Sequence, residues 1–263
     1  MFLIFMWVFQ IHHRDEFNKT ALDHAERCSH ENVVQLLQRL LEKDPQRTEH
    51  IGTSDGALDV LISSAFDGAT AAEASSLSKN GRQDAIHSLK FTGDPRQFTY
   101  GEVCTEGFLE LLILSTKDRH PPRRTSRFLD LGSGRGKAVL VAAHSKFFVH
   151  CVGVELLEPL HVMAVQARER LDSTIRQSIE FFQGNMLTFD VSEFDVVYLS
   201  CLTWNDDVLA TLSGRLLYLS EGSRVLSLRK FDLPGFNLVS QGRCSMSWGV
   251  TGAYVFERKA GLH

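Results

Sequence analysis

Short apolar runs alternate with amphipathic stretches between residues 91 and 258. The runs rich in β-branched and aromatic residues predict strands at 127–131, 148–155, 179–182, 195–200, 224–228 and 254–257. The stretches between them repeat apolar residues at helical spacing and predict helices at 137–145, 159–171 and 208–219. Strands that alternate with helices predict an α/β fold, with a mostly parallel sheet covered by helices on both faces.

Two short helical patterns precede this region. Apolar residues at 21–25 fit one helix face and those at 33–41 fit a second. The pair resembles a small all-helical ankyrin repeat, with a plain helical hairpin as the alternative. One repeat cannot bury its own apolar face, so residues 1–46 are expected to dock on the next domain or to continue repeats upstream. Residues 47–90 are rich in Gly, Ser, Ala and Asp and predict a linker with short helices, and 91–263 form the sheet domain.

Composition narrows the function classes. The chain is 43% hydrophobic and 23% charged, as in globular proteins, and its net charge of -4 disfavours unaided nucleic-acid binding. Five scattered cysteines without a C-x-x-C pair argue against disulfides and a cysteine zinc site, so we expect no metal. The apolar run Met1–Phe9 is too short to span a bilayer and lacks signal-peptide flanks. We expect it to pack, or to begin a truncated chain, with neither membrane contact nor secretion.

A glycine-rich turn joins the first predicted strand of this domain to its first helix. It reads Asp130-Leu-Gly132-Ser133-Gly134-Arg-Gly136-Lys137. Ligands of open α/β sheets bind beyond the carboxyl ends of the strands, and glycines there let the backbone approach them. Lys137 stands where a dinucleotide motif has its third glycine, which disfavours NAD. Asp130 suits a cationic ligand, and D-x-G-x-G-x-G is the usual form of this turn in methyltransferases. The turn therefore indicates S-adenosylmethionine.

Further positions fit the same nucleoside. Glu155 ends the second strand, where a carboxylate can accept hydrogen bonds from both ribose hydroxyls. Asn185 follows the third strand, and its carbonyl oxygen can accept from the adenine amino group, unless it is simply a solvated loop residue. Met186 beside it can pack against the adenine ring.

Residues 100–259 resemble the Dot-type (disruptor of telomeric silencing) histone-lysine methyltransferases. Four blocks carry the resemblance: Tyr100-Gly-Glu102; Phe128 to Ala138 together with Gly153-Val-Glu155; Tyr198 to Trp204; and Met246-Ser-Trp-Gly249, leading to Tyr254. The resemblance implies a Rossmann-like, seven-stranded, mostly parallel sheet with S-adenosylmethionine as cofactor. It also implies a protein lysine as methyl acceptor, with histone H3 in nucleosomes as the first candidate.

The resemblance also suggests roles. Glu102 is expected to hold the cofactor's amino group. As a hypothesis, Tyr100, Leu202, Trp204 and Trp248 form the apolar transfer channel, with ordinary core residues as the alternative for the two tryptophans. The expected catalytic residues are Tyr100, Ser200 and Trp204. The expected cofactor-binding residues are Tyr100, Glu102, Asp130, Gly132, Ser133, Gly134, Gly136, Lys137, Glu155, Asn185, Met186 and Ser200. Family members commonly carry asparagine where this chain has Ser200 and Cys201.

Several functions remain open from the sequence. The leading hypothesis is a protein-lysine methyltransferase that is recruited to a protein partner by residues 1–46. The second is a methyltransferase of the same fold that acts on another protein or a small molecule. The third is a catalytically silent scaffold, and an NAD-dependent dehydrogenase is a distant fourth. The nucleus is the expected location if the acceptor is a histone; otherwise either nucleus or cytoplasm is possible.

Overall fold

The computed structural model describes residues 57–88, 101–116 and 126–261, so the ankyrin-like prediction for residues 1–46 lies outside it. The helices are α1 (Ala57–Ala65), α2 (Ala71–Ser88), α3 (Thr105–Thr116), α4 (Lys137–His144), α5 (Glu158–Glu169), α6 (Ser173–Gln177) and α7 (Asp206–Leu216). The strands are β1 (Arg127–Leu131), β2 (His150–Glu155), β3 (Ile179–Gln183), β4 (Val196–Leu199), β5 (Arg224–Ser227), β6 (Phe236–Met246) and β7 (Gly249–Arg258).

The seven strands form one sheet in the order β3-β2-β1-β4-β5-β7-β6. Strands β1 to β5 pair in parallel, whereas β7 lies antiparallel between β5 and β6. The prediction of a Rossmann-like, seven-stranded, mostly parallel sheet is confirmed. The strand order reverses between β1 and β4, and ligands of such sheets bind beyond the strand ends at that reversal.

Apolar residues on both faces of the sheet make two core layers. Along β1, Phe128 faces the first layer, whereas Leu129 and Leu131 face the second. On the first face, Phe108 of α3 packs edge-on against Phe128 and Tyr198, with ring centroids 6.0 and 4.8 Å apart. Burial on both faces explains why β1 reads as a largely apolar run in the sequence.

Helix α1 and the turn after it pack against the sheet domain. Ile62, Ala65 and Phe66 are buried in the first core layer. The described residues from 57 onward belong to one compact unit, which includes α1 and α2. The described part of the predicted linker therefore contributes two helices to the same unit as the sheet.

Two elements near the sheet edge were not predicted from the sequence. Strand β6 buries only its first residue and two near its end, because it is the edge strand and carries mostly polar, exposed residues. It therefore lacks the apolar alternation that marks a half-buried strand. The sequence of helix α3 is a short apolar run, and such a run fits a buried helix and a buried strand equally well.

Candidate cofactor site

Three glycines shape the turn between β1 and α4. The φ angles of Gly132, Gly134 and Gly136 are 84°, 56° and 89°, a region that other L-residues rarely adopt. At Gly136 a Cβ atom would also lie 2.5 Å from a ring carbon of Phe181 on β3. Backbone conformation and packing both require glycine at this position.

Asp130 is buried beneath this turn, at the carboxyl end of β1. Its side chain is 2% exposed, and its Oδ1 has no hydrogen-bond partner among the described residues. The buried hydroxyl of Ser133 also lacks a partner within those residues. Burial raises the pKa of the Asp130 carboxyl well above its usual range, and the nearby Glu155 raises it further. A buried acceptor without a donor is costly, so this position fits a ligand that brings a positively charged N–H group.

Glu155, at the end of β2, is tied to the same turn. Its Oε2 accepts a hydrogen bond from the backbone N–H of Gly134 at 2.7 Å, and its Oε1 accepts one from Leu157 at 2.8 Å. Burial raises the pKa of Glu155, and these amide donors oppose that rise. Each carboxylate oxygen keeps a second lone pair, so Glu155 can still accept from ribose hydroxyls.

Glu102 lies at the turn, and its carboxylate forms an ion pair with Arg135. Nε and Nη2 of Arg135 donate to Oε1 and Oε2 of Glu102 at 2.6 and 2.8 Å, and both side chains are at least nine-tenths buried. Nζ of Lys137 is 3.9 Å from Oε2 of Glu102. The expected contact between Glu102 and the cofactor's amino group would have to share this carboxylate, which makes Asp130 the better candidate for that group. Sequence reasoning missed Arg135 because it fills a variable position of the glycine motif.

Trp204 lies against the first glycine of the turn. Its side chain is 7% exposed, and a Cβ atom at Gly132 would lie 3.3 Å from Cζ2 of its ring. Nη1 of Arg229 donates to the backbone carbonyl of Trp204 at 2.9 Å. The structure therefore brings Trp204 to the turn, where its ring also belongs to the second core layer.

Ser200 and Cys201 directly follow β4. Ser200 is half-buried, whereas Cys201 is fully buried with its sulfur 3.0 Å from the hydroxyl of Ser227. Leu202 packs against the first core layer and Trp204 against the second. The segment thus crosses the carboxyl edge of the sheet, with Ser200 as its more accessible polar side chain.

The two residues predicted at the adenine lie after β3. Oδ1 of Asn185 accepts a hydrogen bond from the backbone N–H of Leu187 at 2.9 Å, and the Asn185 side chain is exposed. Met186 is half-buried against the second core layer. A second lone pair on Oδ1 can still accept from the adenine amino group, although the same oxygen already accepts the hydrogen bond from Leu187.

Residues 101–104 run beside the tip of the β6–β7 hairpin. The N–H of Cys104 donates to the carbonyl of Ser245 at 2.9 Å, and the N–H of Ser247 donates to that of Glu102 at 2.7 Å. Trp248 at the hairpin tip is 56% exposed, and Nε1 of its ring would be 2.9 Å from a Cβ at Gly101. Tyr100 lies outside the described residues.

The donor set fits S-adenosylmethionine better than a metal. Asp130 offers a buried carboxyl oxygen without a donor among the described residues, Glu155 offers acceptors at a strand end, and the left-handed glycines leave room for close approach. In residues 57–88, 101–116 and 126–261, no cluster of three His, Cys, Asp or Glu side chains could hold a metal ion. Over the same ranges, no helix has the length and apolarity needed to cross a bilayer.

Comparison with known proteins identifies the chain. Sheet order, glycine turn and buried acids define the class of Rossmann-like, S-adenosylmethionine-dependent methyltransferases. The family model "Histone methylation protein DOT1" matches residues 94–247, more than half of the chain. The chain belongs to this family and is an S-adenosylmethionine-dependent methyltransferase of Dot type.

Solved structures with similar coordinates include other methyltransferases. One is an RNA methyltransferase from Salinibacter ruber in complex with S-adenosyl-L-homocysteine, which is 27% identical in sequence and has a TM-score of 0.44. The match covers 60% of this chain and 92% of that protein. TrmN from Thermus thermophilus is 23% identical in sequence and has a TM-score of 0.44. That match covers 57% of this chain and 48% of TrmN. No protein with a curated function matches the sequence significantly.

Proposed function

We propose that this chain transfers the methyl group of S-adenosylmethionine to the side-chain amine of a protein lysine, with histone H3 in nucleosomes as the first acceptor to test. Membership of a histone methylation family supports a protein acceptor. The observation that carries the site assignment is the buried Asp130 carboxylate, whose Oδ1 has no donor among the described residues and lies below the glycine turn.

The proposed cofactor contacts follow from the geometry. Asp130 would accept from the cofactor's amino group, and Glu155 would accept from the ribose hydroxyls. Asn185 and Met186 would lie at the adenine, and Gly132 would allow close approach of the backbone. When bound, the cofactor supplies a methyl group that its sulfonium charge has already activated.

The chain's own part in the reaction is alignment and exclusion of water. Trp204 beside Gly132 and the exposed ring of Trp248 supply apolar surface at the carboxyl edge. A lysine amine has an ordinary pKa of about 10.4, and burial among such rings near a cation favours its neutral, nucleophilic form. Alignment of this kind lowers a barrier by roughly 7–11 kcal/mol. Ser200, half-buried after β4, would orient the incoming amine.

Partner and location follow from the acceptor. A histone acceptor would place the protein in the nucleus. The ankyrin-like pattern of residues 1–46 would separately serve to bind a protein partner. A non-histone acceptor remains the second candidate, because the chain's net charge of -4 does not favour holding nucleosomal DNA by its own surface.

The test is a methyl-transfer assay with the full chain and radiolabelled S-adenosylmethionine. Nucleosomes, free histones and whole-cell lysate are the acceptors, and labelled lysines are mapped by mass spectrometry. Asp130→Ala and Gly134→Arg serve as cofactor-site controls, and calorimetry with S-adenosylhomocysteine measures binding separately. Label on a histone H3 lysine that both variants abolish supports the proposal.

The other outcomes each point to a different conclusion. Label on another protein or a small molecule in lysate selects the second function. Tight binding without labelled product selects a silent scaffold. Unchanged affinity in both variants would remove the cofactor from this turn.

A further inference from the structure

Arg135 leaves the glycine turn and enters a buried cluster of residues from the start of the domain. Its Nε and Nη2 form the paired hydrogen bonds to Glu102, and its Nη1 donates to the carbonyl of Ala69 at 2.5 Å. The guanidinium carbon also lies 4.0 Å from the ring centroid of Phe66. One side chain thus joins the turn to the segment before α3 and to the turn between α1 and α2.

A parallel, weaker connection runs through Lys137, the first residue of α4. Its Nζ lies 3.9 Å from Oε2 of Glu102 and 4.0 Å from Oδ1 of Asp59 on α1. The same Asp59 oxygen accepts a hydrogen bond from the Thr105 hydroxyl at 2.5 Å. Polar side chains from the turn, from α1, from the segment before α3 and from the first residue of α3 therefore form one network.

Arg135 adds a side-chain support to a turn whose backbone also forms hydrogen bonds to Val154 and Glu155 of β2. Gly134 and Gly136, which flank Arg135, adopt left-handed φ angles, and glycine backbones restrict their own conformation least of all residues. A planar guanidinium bound at two points fixes direction as well as distance. A buried ion pair is often replaceable by apolar residues without loss of stability, so stability alone gives no reason for this arrangement.

We propose that Arg135 is a positioning residue, which holds the glycine turn in its cofactor-binding conformation and couples cofactor binding to helices α1 and α2. The inference rests on the proposed cofactor site and goes beyond it, because it makes the helices before the sheet part of the binding equilibrium. Coupling between two sites is reciprocal. If α1 and α2 support the turn through Arg135, a bound cofactor must in turn stabilise α1.

The first experiment compares cofactor affinity with stability. Arg135→Lys keeps the charge but loses the planar fork, and Arg135→Met with Glu102→Leu removes both charges at similar volume. We expect S-adenosylhomocysteine to bind both variants roughly 10-fold more weakly, within the range typical of coupled sites. The double variant should nevertheless melt near the wild-type temperature.

Arg224→Lys is the matched control. Arg224 is 6% exposed and is paired with Glu257, with its Nε donating at 2.9 Å, at the opposite end of the parallel strands. This variant should lower the melting temperature without changing S-adenosylhomocysteine affinity. An equal loss of affinity in the control would mean that general destabilisation explains the effect, and would overturn the inference.

The second experiment measures the coupling itself by hydrogen–deuterium exchange. In the wild type, S-adenosylhomocysteine should slow exchange in peptides that cover residues 57–70. In Arg135→Lys at saturating ligand this protection should be lost, while protection at residues 130–137 remains. Equal protection of 57–70 in both proteins would overturn the inference and leave the cofactor site intact. Failure of the wild type to bind would overturn the proposed function along with it.

Discussion

Replacing Asp130 with asparagine separates two consequences of its burial, the effect on the stability of the protein without ligand and the effect on cofactor affinity. The carboxyl is 2% exposed and its Oδ1 lacks a partner among the described residues. Asparagine keeps the shape and removes the charge. We therefore expect Asp130→Asn to be at least as stable as the wild type without ligand at neutral pH, and to bind the cofactor much more weakly.

The size of the affinity loss follows from the lost contact. A hydrogen bond to a charged group contributes about 1.5–3 kcal/mol. At about 1.4 kcal/mol per tenfold change, the dissociation constant of S-adenosylhomocysteine should rise by about 10- to 150-fold. Because Glu155 and the turn remain in place, binding should weaken without disappearing.

The pH dependence provides an independent check. Burial and Glu155 raise the pKa of Asp130 in the folded protein, so the folded state holds this proton more tightly than the unfolded state. The stability that this proton contributes is complete below the ordinary aspartate pKa of about 3.9, and is lost as the pH rises through the raised value. A cationic ligand needs the ionised form, so wild-type affinity should fall on acidification, by up to about tenfold per pH unit.

Calorimetry with S-adenosylhomocysteine and thermal unfolding, each from about pH 5 to about pH 8, test both expectations. In Asp130→Asn the affinity profile should flatten, and any slope that remains belongs to Glu155, whose pKa is also raised. The reasoning is refuted if the variant binds within about twofold of the wild type, or if wild-type affinity does not change with pH.

Two further substitutions, Gly153→Ala with Gly214→Ala as its control and Arg229→Gln, test the surroundings of the turn. Gly153→Ala places a methyl group 2.7 Å from ring carbons of Phe181 and should lower the free energy of unfolding, measured by chemical denaturation, by about 1–3 kcal/mol. At Gly214 on α7 a Cβ meets nothing within 4 Å, so Gly214→Ala should raise the free energy of unfolding by up to about 1 kcal/mol. Equal effects of the two substitutions would contradict the packing argument. Arg229→Gln removes the 2.9 Å hydrogen bond to the Trp204 carbonyl and should lower the turnover rate more than it weakens S-adenosylhomocysteine binding, whereas an unchanged turnover rate would show that Trp204 needs no such support.

Local patterns in the sequence determined much of what could be predicted. Strands β1, β2, β4 and β5 are buried along nearly their whole length, so each stands out as a short, largely apolar run. Strand β3 lies at the sheet edge and is mostly exposed, and its β-branched and aromatic residues made it recognisable. The glycine turn was recognisable because its positive φ angles demand glycine at fixed spacing. Glu155 could be placed because it ends the adjacent strand, and its bond to the Gly134 amide brings the two together.

Partners that are distant along the chain could not be predicted in this way. Glu102 was expected at the cofactor because the Tyr100-Gly-Glu102 block resembles the family's ligand loop, and nothing in its sequence neighbourhood indicates that Arg135 would pair with it. Strand β6 escaped prediction because an edge strand with exposed polar residues has no apolar pattern. Both features depend on which parts of the chain meet in the fold, and periodicity does not contain that information.

The position between two motif glycines shows why a glycine pattern specifies only part of a site. The glycines determine the path of the backbone, whereas the residue between them is free to point a side chain away from the ligand. Here that residue is an arginine, and burial of its charge requires an acid in another segment of the chain. Residues 135 and 102 are therefore one unit in physical terms. Changing either alone leaves a buried charge without its main partner, whereas a paired change to apolar residues avoids that cost to stability and still removes the turn's support.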